Sequence, residues 1–226
     1  MKLLLFDIDG TLILSGGAGL RGMNKAFEQL YGISDILDGI ILSGRTDDKI
    51  MMDAYARAGL PFSRTELSRF KELYFQLIKK EMHIDGPNKR TMPGIDKLLP
   101  ELAKRENLHM GLLTGNWEKS GRTKLDYFNL NKYFPFGAFS DDSAERDELA
   151  PIAIQRFKQL YGIEPAAEEV FIIGDTPADI QCAKPHGVVS VAVAAAAHSL
   201  DDLKPHEPDF LVQDLRATTE ILNILG

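Results

Sequence analysis

The chain of 226 residues holds a single cysteine, Cys182. That excludes an intrachain disulfide and any cysteine-rich zinc site. Cys182 stands beside Ala183 in a stretch that reads as helical, where a thiol acts as a small buried apolar group. The five histidines are scattered without zinc spacing. Basic blocks are missing as well. With a formal net charge of -7 and no run of Lys or Arg, neither nucleic acid nor an anionic membrane is the expected partner. An acidic protein can still hold a phosphate where a cation supplies the positive charge. Long apolar runs are also lacking. Met1 to Phe6 begins like a signal peptide, but Asp7 and Asp9 cut it short and no small-residue cleavage site follows. No other run could span a bilayer. A cytoplasmic protein, monomeric or weakly homo-oligomeric, is expected. The 44% hydrophobic and 26% charged content suits one domain, or one domain carrying an inserted subdomain.

The first strand is the run Leu3 to Asp7, apolar without alternation, which suits burial on both faces. Gly10 lets the backbone turn, so Asp7 and Asp9 sit at the carboxyl end of that strand. Ligands bind at this edge of open α/β sheets. Two carboxylates there repel each other, and a divalent cation relieves them. The alternative is a strand followed by a plain Asp-Gly turn.

From Ala18 to Met82 the pattern is helical and contains no strand. Leu20, Met23, Ala26, Phe27 and Leu30 recur at helical spacing within Ala18 to Tyr31, and Ile33 to Ser43 reads as loop. Thr46 caps a second helix with Asp47 and Asp48 in its first turn. Ser63-Arg64-Thr65-Glu66 opens a third as a capping box. After Pro93 strands and helices alternate. Helices are expected at Gly94 to Lys104, Glu118 to Phe128, Leu149 to Leu160, from Pro177, and at the end of the chain behind an Asp214 cap. Strands are expected at His109 to Leu113, Phe136 to Ser140, Val170 to Ile173, Val188 to Val193 and Phe210 to Val212. This order implies an α/β fold: a three-layer parallel-sheet, Rossmann-like core with an inserted all-helical cap. Residues 1–15 and 91–226 would form the core and 16–90 the cap, with crossings near Ser15 to Gly17 and Asp85 to Thr91.

Three strands end in polar residues: Asp7 with Asp9, Thr114, and Asp175 with Asp179. In a parallel sheet all would open into one crevice. Asp7-Ile8-Asp9-Gly10-Thr11, Leu112-Leu113-Thr114-Gly115-Asn116, Arg146 and Gly174-Asp175-Thr176-Pro177-Ala178-Asp179 follow one another in an order that resembles the haloacid dehalogenase-like hydrolase superfamily. The resemblance covers nearly the whole chain. Its first and fourth motifs are specific, the second is weaker and the third is nearly anonymous. The inserted cap is similar to that of the phosphoglycolate phosphatase and β-phosphoglucomutase branch.

The resemblance implies that Asp7 attacks phosphorus to form an aspartyl-phosphate and that Asp9 serves as acid and then base. It implies Mg²⁺ held by the Asp7 carboxylate, the Asp9 backbone carbonyl and Asp175, with a small phosphate ester as the substrate. Thr114, Gly115 and Asn116 would offer donors to phosphoryl oxygens. Asp179 would hold Asp175 or a metal-bound water, or serve simply as a helix-start carboxylate. The family usually carries lysine where this chain has Arg146. A guanidinium there can neutralise the nucleophile and the phosphoryl group; the other readings are a surface arginine, with Lys124, in an apparent helix, as substitute. Arg45, at a helix start in the cap, either meets an anionic group of the substrate or is a solvated charge.

A phosphomonoesterase fits these motifs. A dehalogenase lacks the acid found here at Asp9, and a phosphonate-cleaving enzyme needs a desolvated cap lysine that neither Lys25 nor Lys49 is marked to be. A phosphomutase shares every core motif. A non-catalytic module on the same fold would be signalled by loss of Asp7, Asp9 or Asp175, and all three are present.

Overall fold

The computed structural model describes every residue except Pro87 and Gly226. Pro87 belongs to the second expected crossing and is outside the described residues. The chain opens with β1 (Lys2–Phe6) and β2 (Ile13–Leu14), runs through α1 (Ala18–Tyr31), α2 (Asp47–Arg57) and α3 (Arg64–Glu81), and returns at β3 (Arg90–Thr91). Strands and helices then follow as α4 (Ile95–Leu102), β4 (Leu108–Leu113), α5 (Glu118–Tyr127), β5 (Gly137–Ala138), α6 (Leu149–Tyr161), β6 (Val170–Gly174), α7 (Pro177–Ala183), β7 (Val189–Val193), α8 (Leu200–Leu203), β8 (Phe210–Val212) and α9 (Thr218–Leu225).

Six strands form one sheet in the order β5-β4-β1-β6-β7-β8, and every pair in it is parallel. β1 is flanked on both sides, which explains its unbroken apolar run. Its Leu4 and Phe6 pack with Ile95, Leu98, Leu99 and Leu125 in one layer. Its Leu3 and Leu5 pack with Leu149, Ala153 and Phe157 in the opposite layer. Cys182 lies buried in that second layer, as its helical setting suggested. The three-layer α/β class read from the sequence therefore holds.

Where the chain leaves the sheet and comes back, β2 and β3 pair antiparallel, Ile13 with Thr91 and Leu14 with Arg90. Between them, α1 to α3 enclose an apolar cluster of their own around Phe27, Tyr55, Phe70, Tyr74 and Ile78. Thr46 and Ser63 cap α2 and α3 as their side chains predict, accepting from Lys49 N and Glu66 N. One member of the cluster comes from elsewhere. Trp117, in the loop after β4, sits 6.1 Å from the Phe70 ring, 5.6 Å from Tyr74 and 6.1 Å from Phe75.

Some local expectations are corrected. The strand read from Phe136 to Ser140 contracts to Gly137–Ala138; beyond it the Ser140 N–H donates to Asn116 O, past the end of β4, and the Phe139 N–H, on the outer edge, to Asp142 Oδ2 at 2.9 Å. α4 stops at Leu102 with Pro100 inside it. Asp214 does not cap α9, which starts only at Thr218. Its carboxylate accepts from the Arg216 N–H at 2.8 Å and pairs with the Arg216 guanidinium at 2.6 Å.

Candidate active site

β1 delivers Asp7 and Asp9 to the carboxyl edge of the sheet. The Asp7 N–H still donates to Ile173 O at 2.9 Å, so the sheet fixes this residue. Gly10 turns the chain at φ +90°, and a Cβ there would collide with the Asp175 carboxylate. Only glycine meets both demands. Thr11 Oγ1 then donates to Asp175 Oδ1 at 3.1 Å.

Asp7, Asp175 and Asp179 each place a carboxylate oxygen within 4.8 Å of the other two, and all three are buried. Burial raises Asp7 to about 6, against the opposing pull of Arg146. Burial, reinforced by Asp7 and Asp179, raises Asp175 to about 8. Hard oxygen donors crowded in this way fit a divalent cation, which would relieve the repulsion that lifts both groups. Asp179 has little left to offer such an ion. Its Oδ2 accepts from the Thr176 N–H at 3.0 Å and the Thr176 hydroxyl at 2.7 Å, closing a capping box on α7. Its Oδ1 takes Arg146 Nη2 at 2.5 Å. Asp179 is thus a helix-start carboxylate that also anchors Arg146, and its direct bonds do not go to Asp175.

Arg146 is buried and is no surface arginine. Its Nη2 also lies 3.4 Å from Asp7 Oδ1. Burial disfavours its charge, but Asp179 and Asp7 outweigh that and raise its pKa further. Its Nε has no hydrogen-bond partner among the described residues. This leaves a buried donor unused beside the nucleophile candidate.

Lys124 is inside the site too. Gly121 lets α5 lie close, since a Cβ there would stand 2.9 Å from Ile8 Cδ1 and 3.3 Å from Asn116 Cβ. Lys124, three residues on, shares that helix face. Its Nζ donates to Asp9 Oδ2 at 2.6 Å and to Asn116 Oδ1 at 2.7 Å. Asn116 Nδ2 donates to the same Asp9 oxygen at 2.9 Å and to Thr114 Oγ1 at 2.9 Å. The two cations read as alternatives therefore both stand in the site, Arg146 on Asp7 and Lys124 on Asp9. The Asn116 amide orients Asp9 and Thr114, a different placement from the expected contact with phosphoryl oxygens.

Arg45 is turned elsewhere. Its guanidinium pairs with Asp53 Oδ2 at 2.6 Å and donates to the carbonyls of Ile41 and Lys49, both at 3.3 Å. A surface carboxylate nearly two turns into α2 outcompetes the site for it. The Arg45 backbone does border the site: it packs so tightly on Gly115 that a Cβ there would collide with the Arg45 carbonyl.

Two residues escaped the sequence reading. Asp47, read as a helix-start charge, is buried; its N–H donates to Gly115 O at 2.7 Å and its Oδ2 accepts from the Trp117 N–H at 2.8 Å. Burial raises it to about 7, with Lys124 opposing. Tyr74, in α3, lines the same cavity as Asp7, Asp9 and Lys124, a space of about 520 Å³ beneath the helical insertion.

The structure thus joins a parallel α/β sheet, a buried carboxylate cluster at its carboxyl edge and inserted helices above it. The chain belongs to the haloacid dehalogenase-like hydrolase family, whose model matches residues 4–193. It is 26% identical over 213 residues to a phosphoglycolate phosphatase of Aquifex aeolicus, covering 93% of this chain and 91% of that one. A phosphoglycolate phosphatase of Pseudomonas syringae pv. syringae is 25% identical over 229 residues, covering 95% and 77%. In fold the chain is similar to CbbY of Rhodobacter sphaeroides, solved in complex with phosphate, with a TM-score of 0.73 at 16% identity and 96% of each chain covered. Among the described residues no helix is long and apolar enough to cross a membrane.

Proposed function

We propose that the protein hydrolyses a small phosphate monoester, with Asp7 as nucleophile, Asp9 as acid and base, and residues 16–90 as a cap over the leaving group. One observation carries this reading: the two carboxylates of one strand end stand in opposite environments. Asp7 is buried beside Arg146 and Asp175, whereas the Asp9 side chain is 39% exposed to the cavity and held through one oxygen by Lys124 and Asn116. Two carboxylates with different surroundings take different roles.

A carboxylate oxygen of Asp7 forms the bond to phosphorus as the bond to the leaving oxygen breaks, and Asp9 gives that oxygen its proton. Water then attacks phosphorus and gives a proton to Asp9. The Asp7–phosphorus bond breaks, freeing phosphate. Arg146, with its unused Nε donor, carries the positive charge that the phosphoryl group meets. Mg²⁺ would be held by Asp7 and Asp175 with the Asp9 backbone carbonyl, and would supply charge neutralisation. The relatives named phosphoglycolate phosphatases support a small monoester.

The test is phosphate release across a panel of monoesters, with and without Mg²⁺, for wild type and Asp7→Asn. Release that needs Mg²⁺ and vanishes in Asp7→Asn supports the reading. Full turnover after exhaustive chelation overturns the metal assignment, and near-normal turnover by Asp7→Asn overturns the nucleophile.

A further inference from the structure

Both apolar clusters of the molecule surface in the cavity that holds Asp7 and Asp9. From the sheet side come Leu14 and Ala195, half-buried and packed against the core cluster. From the insertion come Met23 and Ile50, which belong to its own cluster, and Leu42, which packs against it. Leu20, an exposed large apolar side chain of α1, lines the same space. The cavity of about 520 Å³ falls in the range of pockets that enclose drug-sized ligands. A phosphoryl group with a two-carbon alcohol leaves much of it unfilled.

Four charged side chains line the cavity outside the group formed by Asp7, Asp9, Asp175 and Arg146, and each has a partner within the protein. Lys124 Nζ holds Asp9 Oδ2 at 2.6 Å and Asn116 Oδ1 at 2.7 Å. Arg45 pairs with Asp53 at 2.6 Å. Asp47 Oδ2 accepts from the Trp117 N–H at 2.8 Å. Arg90, exposed at the return from the insertion, turns its Nη1 to Asn88 O and Oδ1 at 3.4 and 3.3 Å. A leaving group with an anion of its own would have to break one of these contacts, and would meet the Asp47 carboxylate. Apolar surface has no such cost: it gains by leaving water, whereas a polar group taken in without a partner loses.

We infer that the leaving-group end of this cavity takes an uncharged apolar alcohol of several carbons, held between Leu20 and Leu42 of the insertion and Leu14 and Ala195 of the core. This rests on the phosphatase reading above and deepens it. It also sets the leaving group apart from the glycolate in the names of the relatives.

The experiment measures kcat/KM for methyl, ethyl, propyl and butyl phosphate, and for 2-phosphoglycolate beside its apolar isostere, isobutyl phosphate. Each methylene added along the straight-chain series should raise kcat/KM about three- to fourfold, the worth of burying one CH₂. Isobutyl phosphate should exceed 2-phosphoglycolate. Leu20→Ser and Leu42→Ser should each flatten the rise, costing butyl phosphate more than methyl phosphate at equal Tm. A second arm reads the cavity without turnover, by calorimetric binding of the same esters to Asp7→Asn protein with Mg²⁺. A flat series, or a rise that both serine variants leave unchanged, overturns the proposal. So does a preference for 2-phosphoglycolate over isobutyl phosphate, and loss of that preference in Arg90→Ala would give this end of the cavity to Arg90. If no ester is turned over, the phosphatase reading fails, while the binding arm still decides the apolar end: affinity that rises with chain length supports it, and a flat series overturns it.

Discussion

Arg146 Nη2 lies 2.5 Å from Asp179 Oδ1 and 3.4 Å from Asp7 Oδ1, and all three side chains are buried. One guanidinium therefore ties the start of α7 to the end of β1. Removing one member of a buried pair leaves the other charges uncompensated, at a cost of about 3–5 kcal/mol. Arg146→Met should thus lower Tm as well as activity. Arg146→Lys restores the charge but not the fork, because an ammonium is a point donor. It should recover much of the Tm and only part of kcat. Thermal melts and kcat on one substrate check this, and equal losses in both variants would show that the fork matters and the charge does not.

A divalent cation held by the crowded carboxylates, as proposed, should bind in a pH-dependent way. Asp7 is raised to about 6 and Asp175 to about 8 in the folded protein, against an ordinary value of 3.8. A folded pKa above the unfolded one gives stability that is full below 3.8 and lost as pH rises through the folded values. In chelator, Tm should therefore fall between about pH 4 and pH 8, and Mg²⁺ should reduce the fall by binding the ionised pair. Asp175→Asn should flatten the chelated profile at its basic end by at least about 2–4 °C, the response of a chain this size to 1 kcal/mol. Calorimetric Mg²⁺ affinity should rise over the same window, as bound protons are displaced. An affinity independent of pH from 6 to 8 would remove Asp175 from the ligand set.

Asp7 and Asp9 should fail differently. On the proposed mechanism Asp7→Asn removes the nucleophile and should abolish turnover at unchanged fold. Asp9→Asn should cost roughly 10²–10⁴-fold, the range for a positioned acid–base group. That loss should shrink for aryl phosphates, whose leaving oxygen needs no proton. Rates on an alkyl and an aryl ester for each variant make the comparison, and equal losses on both for Asp9→Asn would end its role as acid.

Much of this site could be read from residue order. The run Leu3–Phe6 is apolar on both sides because both faces of β1 are covered, and the acids behind it could only lie at the sheet's edge. What could not be read depended on docking between elements. The Thr46 cap puts Asp47 in the first turn of α2, but not against the Gly115–Trp117 loop. Lys124 reads only as a substitute for Arg146 in an apparent helix, because nothing short of a packed helix, brought close by Gly121, shows that Nζ reaches Asp9. Arg45 stood at the expected place in the chain, and a local partner, Asp53, claimed its side chain. Asp214 failed as a cap for the same kind of reason, since Arg216 two residues away holds its carboxylate.

Trp117 is the last point of leverage. It follows the Thr114-Gly115-Asn116 turn directly, yet its fully buried ring is part of the apolar cluster of α1 to α3. Its N–H holds Asp47 Oδ2 at 2.8 Å, while its Nε1 donates to Asp48 Oδ1. The ring and both donors thus join the insertion to the loop that carries Thr114 and Asn116. Trp117→Ala should cost about 3–5 kcal/mol if the whole effect appeared as global stability. The geometry directs much of it to the junction instead, so hydrogen exchange should quicken first in α3 and around Asp47, with the β1 and β6 amides still protected. Trp117→Phe keeps part of the ring contact but loses the Nε1 bond, and should fall between wild type and Trp117→Ala. Exchange that quickens uniformly across sheet and insertion would mean that Trp117 supports the whole fold and does not fasten the insertion in particular.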